Sequence, residues 1–316
     1  MTEAAAPGRP KQGTAPRTSK APGEPGTGGQ RSTRSDKRGG HIPMTDQYAV
    51  IGNPITQSKS PLIHGMFAEA SGQDMEYTKI EGAVGAFAAD VDAFRARGGR
   101  GLNITAPFKL DAFAYATEHS ERAKLAGAVN AMKFDGARVQ AENFDGVGLV
   151  RDVTHNLGCA MKGKRVLFLG AGGAARGALL PFLDQAPAEL VIANRSLDKA
   201  LELAAIGSAR GMVRGCSYSD LDGQAFDLVF NGTSASLRAE LPPVPATVFA
   251  SCGLAYELAY GKGLTPFLRL ASNAGVKQLA DGVGMLAEQA AEAFLWWRGL
   301  RPDTHAVIEK ITVPLV

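Results

Sequence analysis

From Tyr48 onward the chain alternates between short apolar runs and longer stretches whose apolar residues recur at helical spacing, the pattern of strand–helix–strand units. YAVIG (48–52) predicts a strand. Ser60-Pro61 then opens a helix, with Ser60 as N-cap and Pro61 at the first helical position. Leu62, Ile63, Met66, Phe67 and Ala70 make its buried stripe, and Gly72 ends it. Strands near 76–81 and 100–105 flank a helix near 84–97, and AVNAMKF-DG-ARVQAEN (128–143) predicts a hairpin around Asp135-Gly136.

A second series begins at Lys164. RVLFLG (165–170) is continuously apolar, which suits a strand buried on both faces of a parallel sheet. A helix to about 186, a strand ELVIAN (189–194) and a helix from Ser196 follow. FDLVFN (226–231) and the stretch near 252–256 supply further strands. A long helix at about 282–298 carries Val283, Leu286, Ala290 and Phe294 at helical spacing. Internal repeats are absent.

With 316 residues the chain has the length of about two domains. Its formal charge of +3 conceals an uneven distribution. Residues 1–43 hold eight Lys/Arg against three acids, leaving 26 bases against 28 acids in the rest, so the globular part is slightly acidic and gives no reason to expect nucleic-acid binding. Before Ile42 there is no Leu, Val, Ile, Phe, Tyr or Trp, which predicts a disordered, solvated tail. Contact with an anionic partner is the other reading of its charge. The tail lacks both the apolar centre of a secretory signal and the Arg-rich amphipathic pattern of a transit peptide. Met44, just ahead of the first strand, is an alternative start of translation. No apolar run approaches the roughly 18 residues of a membrane helix. Cys159, Cys216 and Cys252 have neither pairing nor ligand spacing, which points to free thiols in a reducing, cytoplasmic setting. The scattered histidines suggest no metal site.

RVLFLG-AGGAARG sets a Gly-rich turn between a buried strand and a helix, and Gly170, Gly172 and Ala175 fit G-x-G-x-x-A. Gly170 allows the tight turn, Gly172 lets a pyrophosphate approach the backbone, and Ala175 keeps the helix close to the sheet. The expected dinucleotide contacts are Gly170, Ala171, Gly172, Gly173 and Ala174. The alternative is an empty Rossmann-like turn. A site for NAD wants an acid at the end of the second strand. Here that position reads Asn194-Arg195-Ser196, with Lys199 following. Arg195 can stack on adenine and pair with a 2′-phosphate, and Ser196 and Lys199 add donors, so NADP is expected. The alternative for Arg195 and Lys199 is a solvated helix start.

Upstream, SKSP (58–61) puts Ser58 and Ser60 at a helix N-terminus, where a carboxylate is favoured; taken alone, Ser60 is only a cap. TAPFK (105–109) places Thr105 and Lys109 after a strand, AVN (128–130) ends at Asn130, and NFDG (143–146) places Asp145 after the hairpin. Polar residues at strand and loop ends are where α/β scaffolds carry their sites.

The segments IGNPITQSKSPLIH, GLNITAPFK, GAVNA, ENFDGVGL, LGAGGAARG, NRS, NGTSASL, YELAYGKGLTPFL and ADGVGMLAEQAAEAFL, in this order, resemble the signature segments of the shikimate dehydrogenase family, from about residue 48 to the C-terminus. The resemblance implies two α/β domains. Residues 44–145 would form a substrate-binding catalytic domain with a mixed sheet, 146–281 a Rossmann-like NADP-binding domain, and 282–316 C-terminal helices returning to the substrate domain. It also implies reversible NADPH-dependent reduction of 3-dehydroshikimate to shikimate, a step of chorismate and aromatic amino acid biosynthesis. Ser58, Ser60, Thr105, Asn130, Asp145, Tyr260 and Gln289 would bind shikimate, with Ser58 and Ser60 on its carboxylate. Gly282 and Met285 would lie near the nicotinamide; the alternative for Met285 and Gln289 is a core and a surface position of one helix. Lys109 would stabilise the oxygen charge that grows during hydride transfer and supply the proton, with Asp145 orienting it. The partners implied are small molecules, with no membrane or nucleic acid; a homodimer is an open option.

The chain departs from the family pattern at four positions. Ala131 and Phe144 replace the usual threonines after the Asn130-type and before the Asp145-type residue. Ser236 replaces a Gly in the TSxGM-like loop, and the usual Tyr-Asp pair becomes Tyr256-Glu257. The first two bear on substrate specificity, and a quinate/shikimate dehydrogenase using NAD is the rival enzyme; the intact Ser58-Lys59-Ser60 and the lack of an acid at 194–196 argue against it. A ligand-binding relative without turnover is the rival outside catalysis, and Lys109 and Asp145 argue against that.

Overall fold

The computed structural model describes residues 45–315; the expectations placed on residues 1–43 and on Met44 lie outside the described residues. Two six-stranded sheets organise the chain. The first is built from β1 (Asp46–Gly52), α1 (Ser60–Ser71), β2 (Met75–Glu81), α2 (Phe87–Ala96), β3 (Gly99–Ile104), α3 (Lys109–Tyr115), β4 (Glu118–His119), α4 (Glu121–Ala126), β5 (Ala131–Asp135) and β6 (Arg138–Glu142). Its strand order is β2-β1-β3-β5-β6-β4. β1 pairs parallel with β2 and β3, whereas β5 runs antiparallel to β3 and β6, so the sheet is mixed. The β5–β6 hairpin turns at Asp135-Gly136, where Gly136 takes φ 58°.

α5 (Asp145–Arg151), continued by one π-helical turn at Asp152–Asn156, leads to the second sheet. There follow β7 (Arg165–Leu169), α6 (Gly173–Leu183), β8 (Glu189–Ala193), α7 (Leu197–Gly207), β9 (Val213–Cys216), β10 (Leu228–Asn231), β11 (Leu254–Glu257), α8 (Pro266–Asn273), β12 (Gln278–Asp281), α9 (Val283–Arg298) and α10 (His305–Ile311). All strands pair in parallel in the order β12-β11-β10-β7-β8-β9. This is the doubly wound arrangement, with its switch point between β7 and β10, where such sheets bind ligands at the strands' carboxyl ends.

Packing brings the two sheets' sites together. A Cβ on Gly146 of α5 would lie 2.1 Å from the Gly177 carbonyl oxygen of α6, and one on Gly148 would lie 2.6 Å from the Gln289 nitrogen of α9. Only glycine permits these approaches, which fix Asp145 and Gln289 relative to each other. α9 starts beside the second sheet and ends on the first. There Trp297 stacks on Tyr48 at 4.8 Å between centroids and its Nε1 donates to the Met132 carbonyl at 3.0 Å. Val307 and Ile311 of α10 join Phe294 in packing on Ile63 and Phe67 of α1.

The expected start of α1 needs correction. Lys59, not Ser60, occupies the N-cap, no side chain caps the helix, and Ser60 is its first residue. The hydroxyl of Ser60 is engaged elsewhere, accepting from Ser58 Oγ at 3.2 Å. The buried face is Ser60, Ile63, His64 and Phe67, while Leu62 and Ala70 are exposed. Sequence periodicity places the stripe one position off, because a buried histidine reads as polar.

Candidate active site

A cavity of about 300 Å³ gathers the residues expected at the substrate and at the reacting end of the cofactor. Ser58, Ser60, Thr105, Lys109, Asn130, Asp145, Tyr260, Gln289, Gly282 and Met285 all line it. Lys109 and Asp145 stand at the N-termini of α3 and α5. A carboxylate is favoured at such an end and an ammonium is not, so Lys109 depends on its partner: Lys109 Nζ donates to Asp145 Oδ2 at 2.6 Å. Asp145 Oδ1 accepts from Asn130 Nδ2 at 2.8 Å, and the same nitrogen reaches Gln289 Oε1 at 3.3 Å. Asn130 is itself fixed, its Oδ1 accepting from the Phe144 N–H at 2.8 Å. Lys109 and Asp145 are both partly exposed to the cavity. The group holds a cation and an acceptor side by side, open to a ligand on one face, as proton transfer to a substrate oxygen requires.

Behind Ser60 lies a cluster that sequence reasoning missed. Asn103 lines the cavity. Its Oδ1 accepts from Tyr77 Oη at 2.7 Å and lies 3.1 Å from His64 Nε2, and its Nδ2 donates to the Asn130 carbonyl at 3.3 Å. An amide oxygen is an acceptor, so His64 carries its proton on Nε2, leaving Nδ1 bare, buried and without a partner. Burial pushes His64 down to about 3, against the opposing Asn103 hydrogen bond. Burial likewise holds the Tyr77 phenol well above its ordinary range, despite a hydrogen bond with Ser60. Nothing in the local sequence signals this cluster, since its members come from three elements.

A second cavity, of about 410 Å³, opens at the switch point. Gly170, Ala171, Gly172, Asn194 and Arg195 line it. Gly170 takes φ 101°, and a Cβ there would meet the Gly232 carbonyl oxygen at 3.2 Å. A Cβ on Gly172 would point into open space, the side from which a diphosphate would come. Gly173 and Ala174 form the first turn of α6 and Ser196 is the N-cap of α7. Lys199 is exposed in the first turn of α7; these four stand outside the cavity lining. Across from Arg195 the structure adds Arg238 and an acid not foreseen, Glu240. Arg238 Nη2 donates to Glu240 at 2.8 Å and holds that carboxyl below its usual range, with Arg195 adding to the effect. Among the described residues no group of three or more His, Cys, Asp or Glu is placed to hold a metal, and no helix is long and apolar enough to cross a membrane.

Residues 50–132 match the shikimate dehydrogenase substrate binding domain, 152–239 shikimate / quinate 5-dehydrogenase, and 282–312 the shikimate 5′-dehydrogenase C-terminal domain. The shikimate dehydrogenase (NADP(+)) of Nitrosospira multiformis is 54% identical over 265 residues, covering 84% of this chain and 96% of that protein. The chain belongs to the shikimate dehydrogenase family. Among solved structures, an Ael1 enzyme from Pseudomonas putida superposes with a TM-score of 0.84 at 62% identity, over 86% of this chain and 100% of that one. Shikimate 5-dehydrogenase from Thermus thermophilus, in complex with NADP(H) and shikimate, gives 0.74 at 30% identity, over 84% and 97%.

Against the family pattern, Ala131 and Phe144 prove to be neighbours. Both are buried in one cluster with Tyr48 and Trp297, and neither lines the substrate cavity. The Phe144 ring meets Trp296 edge-on at 5.7 Å, and the Arg122 guanidinium lies over it at 5.7 Å. The missing hydroxyls are therefore replaced by shared apolar packing behind the site.

Proposed function

We propose that this chain catalyses the reversible NADP-dependent interconversion of 3-dehydroshikimate and shikimate. The observation that carries the reading is the contact of Lys109 Nζ with Asp145 Oδ2 at 2.6 Å, in a cavity that also presents Ser58, Ser60, Asn130 and Gln289. Ser58 and Ser60 donate to the ring carboxylate, and Thr105, Tyr260 and Gln289 hold the ring and its hydroxyls. Asn130 keeps the Asp145 carboxylate turned toward Lys109. The Lys109 ammonium donates to the C3 carbonyl oxygen and gives up its proton as charge grows there, and Asp145 accepts from the neighbouring hydroxyl. In the alcohol-to-ketone direction Lys109 takes the proton back.

The second cavity fits NADP. Its glycines leave the backbone bare, and Arg195 with Arg238 outweighs the single carboxylate of Glu240. Gly170, Ala171, Gly172, Gly173 and Ala174 bind the diphosphate, Asn194, Arg195, Ser196 and Lys199 the adenosine 2′-phosphate end, and Gly282 and Met285 the nicotinamide. Bound there, NADPH supplies the hydride. Residues 44–145 act as the catalytic domain and 146–281 as the NADP-binding domain, with 282–316 returning to the first. The setting is the cytoplasm. Initial rates with shikimate and quinate, each with NADP and NAD, test the reading. Shikimate with NADP should be the preferred pair, and quinate oxidised as efficiently as shikimate would move the chain to the dual-specificity enzymes.

A further inference from the structure

The other two departures from the family pattern, Ser236 for Gly and Glu257 for Asp, meet each other. Asn231 and Glu257 are register partners at the carboxyl ends of β10 and β11, and both are fully buried. Glu257 Oε2 accepts from Asn231 Nδ2 at 2.9 Å, from Thr265 Oγ1 at 3.2 Å and from the Ser236 hydroxyl. Its Oε1 accepts from the Ala259 N–H at 3.3 Å. Asn231 Nδ2 also reaches Ser236 Oγ, at 3.1 Å. The carboxylate is thus held by four neutral donors, two from the 231–236 segment, one from Ala259 and one from Thr265; without it the buried Ser236 and Thr265 hydroxyls would lose their acceptor.

Two of those segments face the ligands. Asn231 Oδ1 accepts from the Thr233 N–H at 3.1 Å and from its hydroxyl at 2.8 Å, and Thr233 Oγ1 accepts from the Ala235 N–H at 3.3 Å. Gly232, Thr233 and Ala235 are the wall of the cofactor cavity opposite Gly170 and Gly172. On the other side Ala259 immediately precedes Tyr260, which lines the substrate cavity. The substitutions also fit one another. A glycine at 236 would leave Glu257 short of a donor, and an aspartate at 257 would stop short of the Ser236 hydroxyl, leaving its buried proton without an acceptor.

We infer that Glu257 is a positioning residue that sets the cofactor-facing 231–235 loop and the approach to Tyr260 from one anchor, with Ser236 as its matched half. The inference rests on NADP binding at the switch point. Its test is a fluorescence titration of NADPH into the full chain and its variants, with shikimate KM, kcat and melting temperature measured alongside. Glu257→Asp should weaken NADPH binding about tenfold and Ser236→Gly about threefold, through lost buried hydrogen bonds. The double variant, which restores a matched pair, should return to within about threefold of wild type, a coupling that independent sites would not show. The single variants should raise both KM values while kcat at saturation changes little. If Glu257→Asp does not fold, Glu257→Gln and Ser236→Ala test the coupling instead: their double variant, lacking the shared contact already, should lose less than the product of the two singles. Variants that lose melting temperature yet bind NADPH within about twofold of wild type would overturn the inference, as would a double variant that loses the full product of the singles. A wild-type chain that binds no NADPH would overturn the NADP reading and this inference with it.

Discussion

Replacing His64 with Phe removes a base that the fold forces to stay neutral. The ring is fully buried, stacked on Tyr77 at 4.2 Å, and burial holds its pKa at about 3 against an ordinary 6.5. Above pH 6.5 neither the folded nor the unfolded chain binds a proton there, so His64 adds no pH dependence. Below it the unfolded chain takes up a proton that the folded chain refuses. Stability therefore falls as pH drops, by about 1.4 kcal/mol per pH unit, and the loss levels off only below the folded pKa. By about pH 5 the loss is about 2 kcal/mol, and across the whole window about 5 kcal/mol. Phe keeps the stack and deletes the bare Nδ1, but it also deletes a donor to Asn103, whose Oδ1 keeps the Tyr77 hydroxyl at 2.7 Å. These effects oppose each other at about 1–3 kcal/mol apiece, so the two proteins should differ little at about pH 8. Urea unfolding should then show the variant gaining about 2 kcal/mol on wild type between about pH 8 and about pH 5. Stability curves that stay parallel over that range would refute the assignment of a buried, neutral histidine.

Lys109→Met should lower kcat at least about a hundredfold, the least a positioned proton donor supplies, with melting temperature nearly unchanged because the side chain is partly exposed. Asp145→Asn should fall in the same direction, and the double variant should be no worse than the poorer single one; near-normal turnover in Lys109→Met would place the proton source elsewhere. Steady-state kinetics should give NADP at least about a tenfold advantage over NAD, about 1.4 kcal/mol, and Arg195→Asp should narrow or reverse it; equal efficiencies in the unmodified chain would remove Arg195 from cofactor choice. Phe144→Thr should cost about 2–5 kcal/mol of stability through the cavity it opens against Tyr48 and Trp297. Because Phe144 does not line the substrate cavity, its shikimate KM should hold, and a large KM change at constant melting temperature would contradict that placement.

What could be read from the sequence was what short-range pattern encodes. The β7–turn–α6 unit was legible because a doubly buried strand is continuously apolar and the turn needs its glycines. The β5–β6 hairpin was legible from Asp135-Gly136. β4, with two residues, and β12, only partly buried, carry no such signal and emerge only from their pairing. In the site, the residues in loop-end motifs were legible and their supports were not. Asn103 is joined to Tyr77 and His64 across 26 and 39 residues, so its orientation is a property of the packed sheet. Glu240 escaped notice because it faces Arg195 from another loop.

The way α9 and α10 close over the first sheet bears on how the protein is made. Trp297 bonds to Met132 across 165 residues, and Arg298 to Asp46 across 252. A ribosome adding about 5–20 residues per second needs roughly 10–50 s to span the longer of these. For that time Tyr48, Ile63 and Phe67, all buried in the finished molecule, wait for the helices that cover them. The second sheet is contiguous in sequence from β7 to β12, so its strands wait less than half as long for their partners. The half of the molecule that leaves the ribosome first is therefore the half that matures last, and its waiting apolar face is the surface a nascent-chain chaperone would find.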